Sequence, residues 1–131
     1  MTTILLDHNL AGDAVFLQGA LAKIGWQELV QILFVTFAEV GLPVESNDRE
    51  VWRFAQERRM LLLTDNRNME GENSLEQTLR EEVVADSLPV ITIGMRGRLE
   101  EIDYRDKCAN RVVEIIIDLD QSLGCSRLFI P

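Results

Sequence analysis

Short apolar blocks alternate with longer stretches of mixed polarity along this chain. Thr3-Ile4-Leu5-Leu6, Ile32 to Phe37, Met60 to Thr64, Pro89 to Gly94 and Ser126 to Ile130 are rich in Val, Ile, Leu and Phe, and polar, Gly or Pro residues bound most of them. Each is too short to be a helix of its own, so the pattern predicts buried strands. Between them the apolar positions recur every three or four residues, as one face of a helix requires. Leu10, Ala14, Leu17, Leu21 and Ile24 form the first such stripe, with Asn9 suited to its N-cap and Gly25 to its stop. Val51, Trp52, Phe54 and Ala55 form the second, after Asp48 as cap, and Leu75, Leu79 and Val83 the third, after Ser74. Tyr104, Cys108, Val112, Ile116 and Leu119 form the last, although Val112 to Ile117 is rich in β-branched residues for a helix. Trp26 to Val30 reads as a further helical turn, and Gly41-Leu42-Pro43 followed by Glu45 to Asp48 as loop.

Strands alternating with helices predict an α/β domain with a mostly parallel central sheet and helices on both faces. The length of 131 residues fits a single domain, 1–131. Open sheets of this kind bind ligands beyond the carboxyl ends of their strands. Asp7 falls just past the first strand, Asp65, Asn66 and Asn68 just past the third, and Asp48 opens the helix between them.

Composition narrows the function. The formal charge of −9 is the wrong sign for a protein that coats nucleic acid with a broad basic surface. A metal nuclease remains compatible with it, because carboxylates around an ion add to the same total. Arg96, Arg98, Arg105, Lys107 and Arg111 form one basic group and Arg53, Arg58, Arg59 and Arg67 another; each reads first as a solvated helix face, with a phosphate-facing patch as the alternative. Cys108 and Cys125 lack the spacing of a zinc site and are read as structural thiols, and a lone His8 leaves no material for a histidine-based centre. No apolar run reaches membrane-spanning length, and the first residues lack a basic leader, so a cytoplasmic protein is expected. There is neither a GxGxxG nor a Walker-type lysine loop. A phosphorylatable receiver domain would place a pair of acids where Asp7 stands alone.

Three segments in register carry a resemblance. Ile4-Leu5-Leu6-Asp7-His8-Asn9-Leu10 resembles the "LLDENL" opening of PIN-like domains. Glu39-Val40-Gly41-Leu42-Pro43 with Ser46-Asn47-Asp48 resembles the family's glycine-leucine and serine-aspartate segment. Leu61-Leu62-Leu63-Thr64-Asp65-Asn66-Arg67-Asn68 resembles its "LVTxDxDF" signature. The resemblance covers residues 1 to about 95 and implies a PIN-like three-layer sandwich, related to toxin ribonucleases. Such domains gather carboxylates around Mg or Mn and cleave RNA with an activated water. The hard ion prefers oxygen ligands, lowers the pKa of bound water and stabilises charge on the phosphoryl oxygens. Carried over, Asp7, Asp48 and Asp65 are the expected metal ligands and catalytic residues, with Asn9, Asn66, Arg67 and Asn68 in the surrounding loops. RNA, an antitoxin-like protein and a second copy of the chain are the partners it implies.

The signature is altered where the chemistry would lie. Counted from Thr64, the two aspartate positions hold Asn66 and Asn68, Asp65 is displaced by one, and Met69 replaces phenylalanine. A one-residue shift along a strand end points a side chain the other way, so Asp65 reaches the site only if the loop turns there. The alternative function is therefore a catalytically inactive PIN-like module that binds RNA or a protein partner. Plainer roles stand beside each residue. Asp7 suits a turn, Asp48 an N-cap, Asn66 and Asn68 Asx-turns, and Arg67 an ion pair with Asp7 or Asp48 that holds the loop. His8 reads as a turn residue, and Trp26 and Trp52 as core.

Overall fold

A computed structural model describes residues 1–25, 28–67 and 70–131. Trp26 and Asn68 lie outside the described residues, and with them the readings of a core tryptophan and an Asn68 turn. Five strands, β1 (Thr2–Leu6), β2 (Ile32–Val35), β3 (Leu61–Thr64), β4 (Val90–Ile93) and β5 (Arg127–Ile130), form one sheet in the order β2-β1-β3-β4-β5. Every neighbouring pair is parallel. The α/β architecture expected from the alternation of elements is present, with the sheet parallel throughout.

Alternate side chains of the strands enter two separate cores, as the pleat dictates. Ile4, Leu6, Leu61, Leu63, Ile91, Ile93 and Ile130 pack with α1 (Ala14–Lys23) and α5 (Ile102–Ile117). Leu5, Leu62, Val35 and Val90 pack with α3 (Asp48–Glu57) and α4 (Leu75–Glu82). Burying a Leu, Ile or Val side chain contributes about 1.5–3 kcal/mol, so strands that are buried on both faces anchor the domain. The remaining α-helices among the described residues are the single turns α2 (Phe37–Val40) and α6 (Leu119–Ser122). None of the described helices is long and apolar enough to cross a membrane.

Four local expectations are corrected. Asn9 does not cap the first helix: it lies inside a 3-10 turn (His8–Leu10) capped by Asp7, and α1 starts later, behind Asp13. The second strand stops at Val35 because Thr36 caps α2 in a capping box with Glu39, and Gly41 ends that turn at φ 76°, where a glycine carries no Cβ penalty. The last helical stripe, by contrast, is present as expected and runs through Ile117, since Val112, Val113 and Ile115 are buried on a helix face that continues from Tyr104 and Cys108. There tertiary burial overrides β-propensity. Of the two thiols, Cys108 is buried as expected and Cys125 is exposed, so only the first is structural.

Asp48 is the fourth. Asn47, one residue earlier, is the N-cap of α3, exchanging hydrogen bonds with Glu50 in a capping box. Asp48 is the first helical residue, and its carboxylate is released for contacts elsewhere.

Candidate functional site

The carboxyl ends of β1 and β3 meet at the same level, because Leu6 pairs with Leu63 and the Asp7 amide continues the ladder to the Leu63 carbonyl at 2.9 Å. Asp7 stands two residues beyond Leu5 and Thr64 two beyond Leu62, so both side chains lie on the α3–α4 side of the sheet. Thr64 Oγ1 donates to Asp7 Oδ2 at 2.6 Å, and the His8 amide donates to Oδ1 at 2.8 Å. Partial burial raises the Asp7 pKa above the ordinary carboxylate range; these two hydrogen bonds oppose the shift, and the nearby charges of Asp48 and Asp65 add to it.

The alternation continues into the loop after β3. Asn66, two residues past Thr64, turns to the same side, where its Nδ2 donates to Asp48 Oδ2 at 2.8 Å. Its amide nitrogen donates to Thr64 Oγ1 at 2.9 Å, so the threonine hydroxyl takes part in the local turn. Asp48 Oδ2 also accepts the Leu75 amide at 3.1 Å, which places a carboxylate at the N-terminus of α4, where exposed amides favour negative charge.

Asp65, with the opposite parity, bonds in the other direction. Its Oδ1 accepts Asn9 Nδ2 at 3.2 Å, and Oδ2 lies 3.4 Å from Arg96 Nη1. Arg96 also pairs with Asp13 and reaches the Asn9 carbonyl. Arg67, expected to hold this loop, is exposed and forms no ion pair with Asp7 or Asp48 among the described residues; Arg96 serves Asp65 instead.

Asp7, Asp48, Asp65 and Asn66 nevertheless line one open pocket of about 470 Å³, together with Asn9, Phe37, Val44 and Val51. Each carboxylate in it already accepts from protein donors. Among the described residues, no three Asp, Glu, His or Cys side chains form a group able to hold a metal ion. The donor set does not fit a resident Mg or Mn: a hard cation needs several converging charged oxygens, and here an amide faces Asp48 and a guanidinium faces Asp65. A second recess, about 530 Å³, is lined by Arg49, Arg53 and Glu81 among others. It offers no phosphate site, because Arg49 is paired with Glu81 and Glu82 and Arg53 with Glu82.

Sequence reading missed one residue of this region. Arg127, on the edge strand β5, has a side chain only 8 % exposed and reaches both Glu76 and the carbonyl of Asn66. Isolated in a short strand, it carries no local signal. No family model matches the chain, and neither a curated protein nor a solved structure matches it.

Proposed function

We propose that this chain is a PIN-like domain, a three-layer sandwich acting in the cytoplasm, whose acidic pocket binds a basic segment of a protein partner without hydrolysing RNA. The observation that supports this reading is the amide of Asn66, which donates to Asp48 where the family signature has a carboxylate. Two facing carboxylates repel and call for a cation between them; an amide facing a carboxylate is satisfied without one.

The pocket's surroundings suit the side chain of a lysine or arginine. Asp7, Asp48 and Asp65 supply negative charge, and Phe37, Val44 and Val51 supply an apolar wall for the methylene stem. Both this acidic lining and the net charge of −9 oppose RNA phosphates.

A second reading, a Mg- or Mn-dependent ribonuclease, is favoured by the three carboxylates Asp7, Asp48 and Asp65 lining one pocket, and it requires Asn66 and Arg96 to give way to the ion. Anisotropy with a labelled Lys/Arg-rich peptide and with a single-stranded RNA separates the two. The module reading expects peptide binding that weakens with salt and with Asp48→Asn, and no RNA cleavage in Mn²⁺. RNA cleavage by the wild type in Mn²⁺, lost in Asp7→Asn, would overturn it in favour of the nuclease.

A further inference from the structure

Arg127 lies at the edge of the sheet, with two strands between it and β1, yet its guanidinium is richly hydrogen-bonded. Nε and Nη2 donate to Glu76 Oε1 at 2.9 and 2.6 Å. Nη1 donates at 2.7 Å to the Asn66 carbonyl and at 2.7 Å to Thr92 Oγ1, a hydroxyl buried in β4. A charge this deeply placed is tolerated only when it is paired and its donors are used, and here the planar fork meets both demands. One edge of the fork holds α4 through Glu76. The other holds the backbone of the loop that carries Asn66.

The geometry points to Arg127 as a positioning residue for the acidic pocket, fixing the Asn66 peptide so that the side-chain amide is presented to Asp48. Two anchors set the backbone on either side of its Cα: Thr64 Oγ1 receives the Asn66 N–H, and Arg127 Nη1 donates to the Asn66 C=O. With both ends of the residue held, the Cα–Cβ direction is set, and the amide lies 2.8 Å from Asp48 Oδ2. Asp48 in turn accepts the first amide of α4, the helix that Glu76 ties to Arg127. The loop after β3, the N-terminus of α4 and the edge strand β5 therefore form one hydrogen-bonded circuit, and the C-terminal strand takes part in the site. This inference rests on the module reading only for what the pocket binds; the placement of Asn66 stands apart from it.

Two variants separate positioning from bulk stability. Arg127→Lys keeps a positive charge beside Glu76, but one ammonium cannot span Glu76, Thr92 and the Asn66 carbonyl together. Glu76→Gln weakens the ion pair and leaves the Asn66 side of the fork in place. The Asn66 side-chain amide signals in ¹H–¹⁵N spectra are the readout. Arg127→Lys is expected to move them to the positions of a solvent-exposed asparagine and to weaken basic-peptide binding roughly three- to tenfold, the scale of one hydrogen bond. Glu76→Gln is expected to lower the urea midpoint while leaving those signals in place. Unmoved signals in Arg127→Lys, or equal movement in both variants, would overturn the proposal. Should Arg127→Lys fail to fold, the wild-type guanidinium decides. Separate, slowly exchanging Nη1 and Nη2 signals support the clamp, and a freely rotating group overturns it. Moved Asn66 signals in a protein whose wild type binds no peptide would sink the partner reading and leave the positioning role standing.

Discussion

The side-chain amide of Asn66 donates to the carboxylate of Asp48 across 2.8 Å, joining the loop after β3 to the first turn of α3. In this contact the carboxylate is met by an amide donor and not by a cation. Asn66→Asp should reverse that exchange. In the absence of metal the variant should melt below the wild type, because two carboxylates then face each other. Excess Mn²⁺ should raise its midpoint by several degrees, since a ligand bound only to the native state at about a hundred times its dissociation constant adds roughly 2.7 kcal/mol. The wild type should show no shift that depends on Asp7. A variant indifferent to Mn²⁺ would show that the pocket lacks the shape of a metal site even with its charge restored.

The burial of Asp7 predicts the sign of its contribution to the pH dependence of stability. Its folded pKa lies above that of an exposed aspartate, chiefly through burial, so the unfolded chain ionises first. The stability this group contributes is fully present below the unfolded value, about 3.9, and is lost as pH rises through the folded midpoint. Urea unfolding of wild type and Asp7→Asn across that window should therefore show the difference moving in favour of the variant as pH rises. A difference that is flat with pH would mean that the burial of Asp7 is offset by its hydrogen bonds.

Thr64 supplies one of those bonds from a fully buried position. Thr64→Val keeps the β-branched shape in β3 and removes the hydroxyl, which also accepts the Asn66 amide. The cost near neutral pH should be about 1–3 kcal/mol, the penalty of leaving a partly buried charged acceptor short of a donor. Because that hydrogen bond holds the Asp7 pKa down, its carboxyl should titrate higher in the variant than in the wild type. Carbon-detected titration of the Asp7 carboxyl reads the second effect independently of the first.

The two thiols should react at very different rates. Cys125 is exposed, while Cys108 is fully buried and desolvation pushes its pKa up to about 11. Thiolate is the reactive form, so a thiol reagent at neutral pH should modify Cys125 rapidly in the native protein and reach Cys108 only on unfolding. Rapid native labelling of both in a Cys125→Ser and wild-type comparison would contradict the burial of Cys108.

Much of the fold was legible because burial imposes a period. The runs at Ile4 to Leu6 and Leu61 to Leu63 are continuous rather than alternating because both faces of their strands are covered, and the stripes from Ala14 and from Tyr104 recur at helical spacing because one face of each helix meets the sheet. The neighbourhood of Asp7, Asp48 and Asp65 was legible too, since a parallel sheet brings the carboxyl ends of its strands together.

Roles within that neighbourhood were less visible. Asp48 and Asn47 are both good caps, and the choice between them depends on which side chain is drawn away; the Leu75 amide and Asn66, both distant in sequence, draw Asp48. Arg67 and Arg96 are equally charged, and only the placement of the loop after β4 brings Arg96 to Asp65.

The sequence by itself determined the periods, and hence the elements and the end of the sheet at which polar groups collect, because those follow from local geometry and the drive to bury apolar surface. Tertiary structure alone decided which polar groups satisfy one another. Arg127 meets Asn66 across a sequence separation of 61 residues, a contact that exists only because β5 pairs with β4 and β4 with β3. A hydrogen bond is made by distance and direction, and the strand order that fixes both is a property of the assembled sheet.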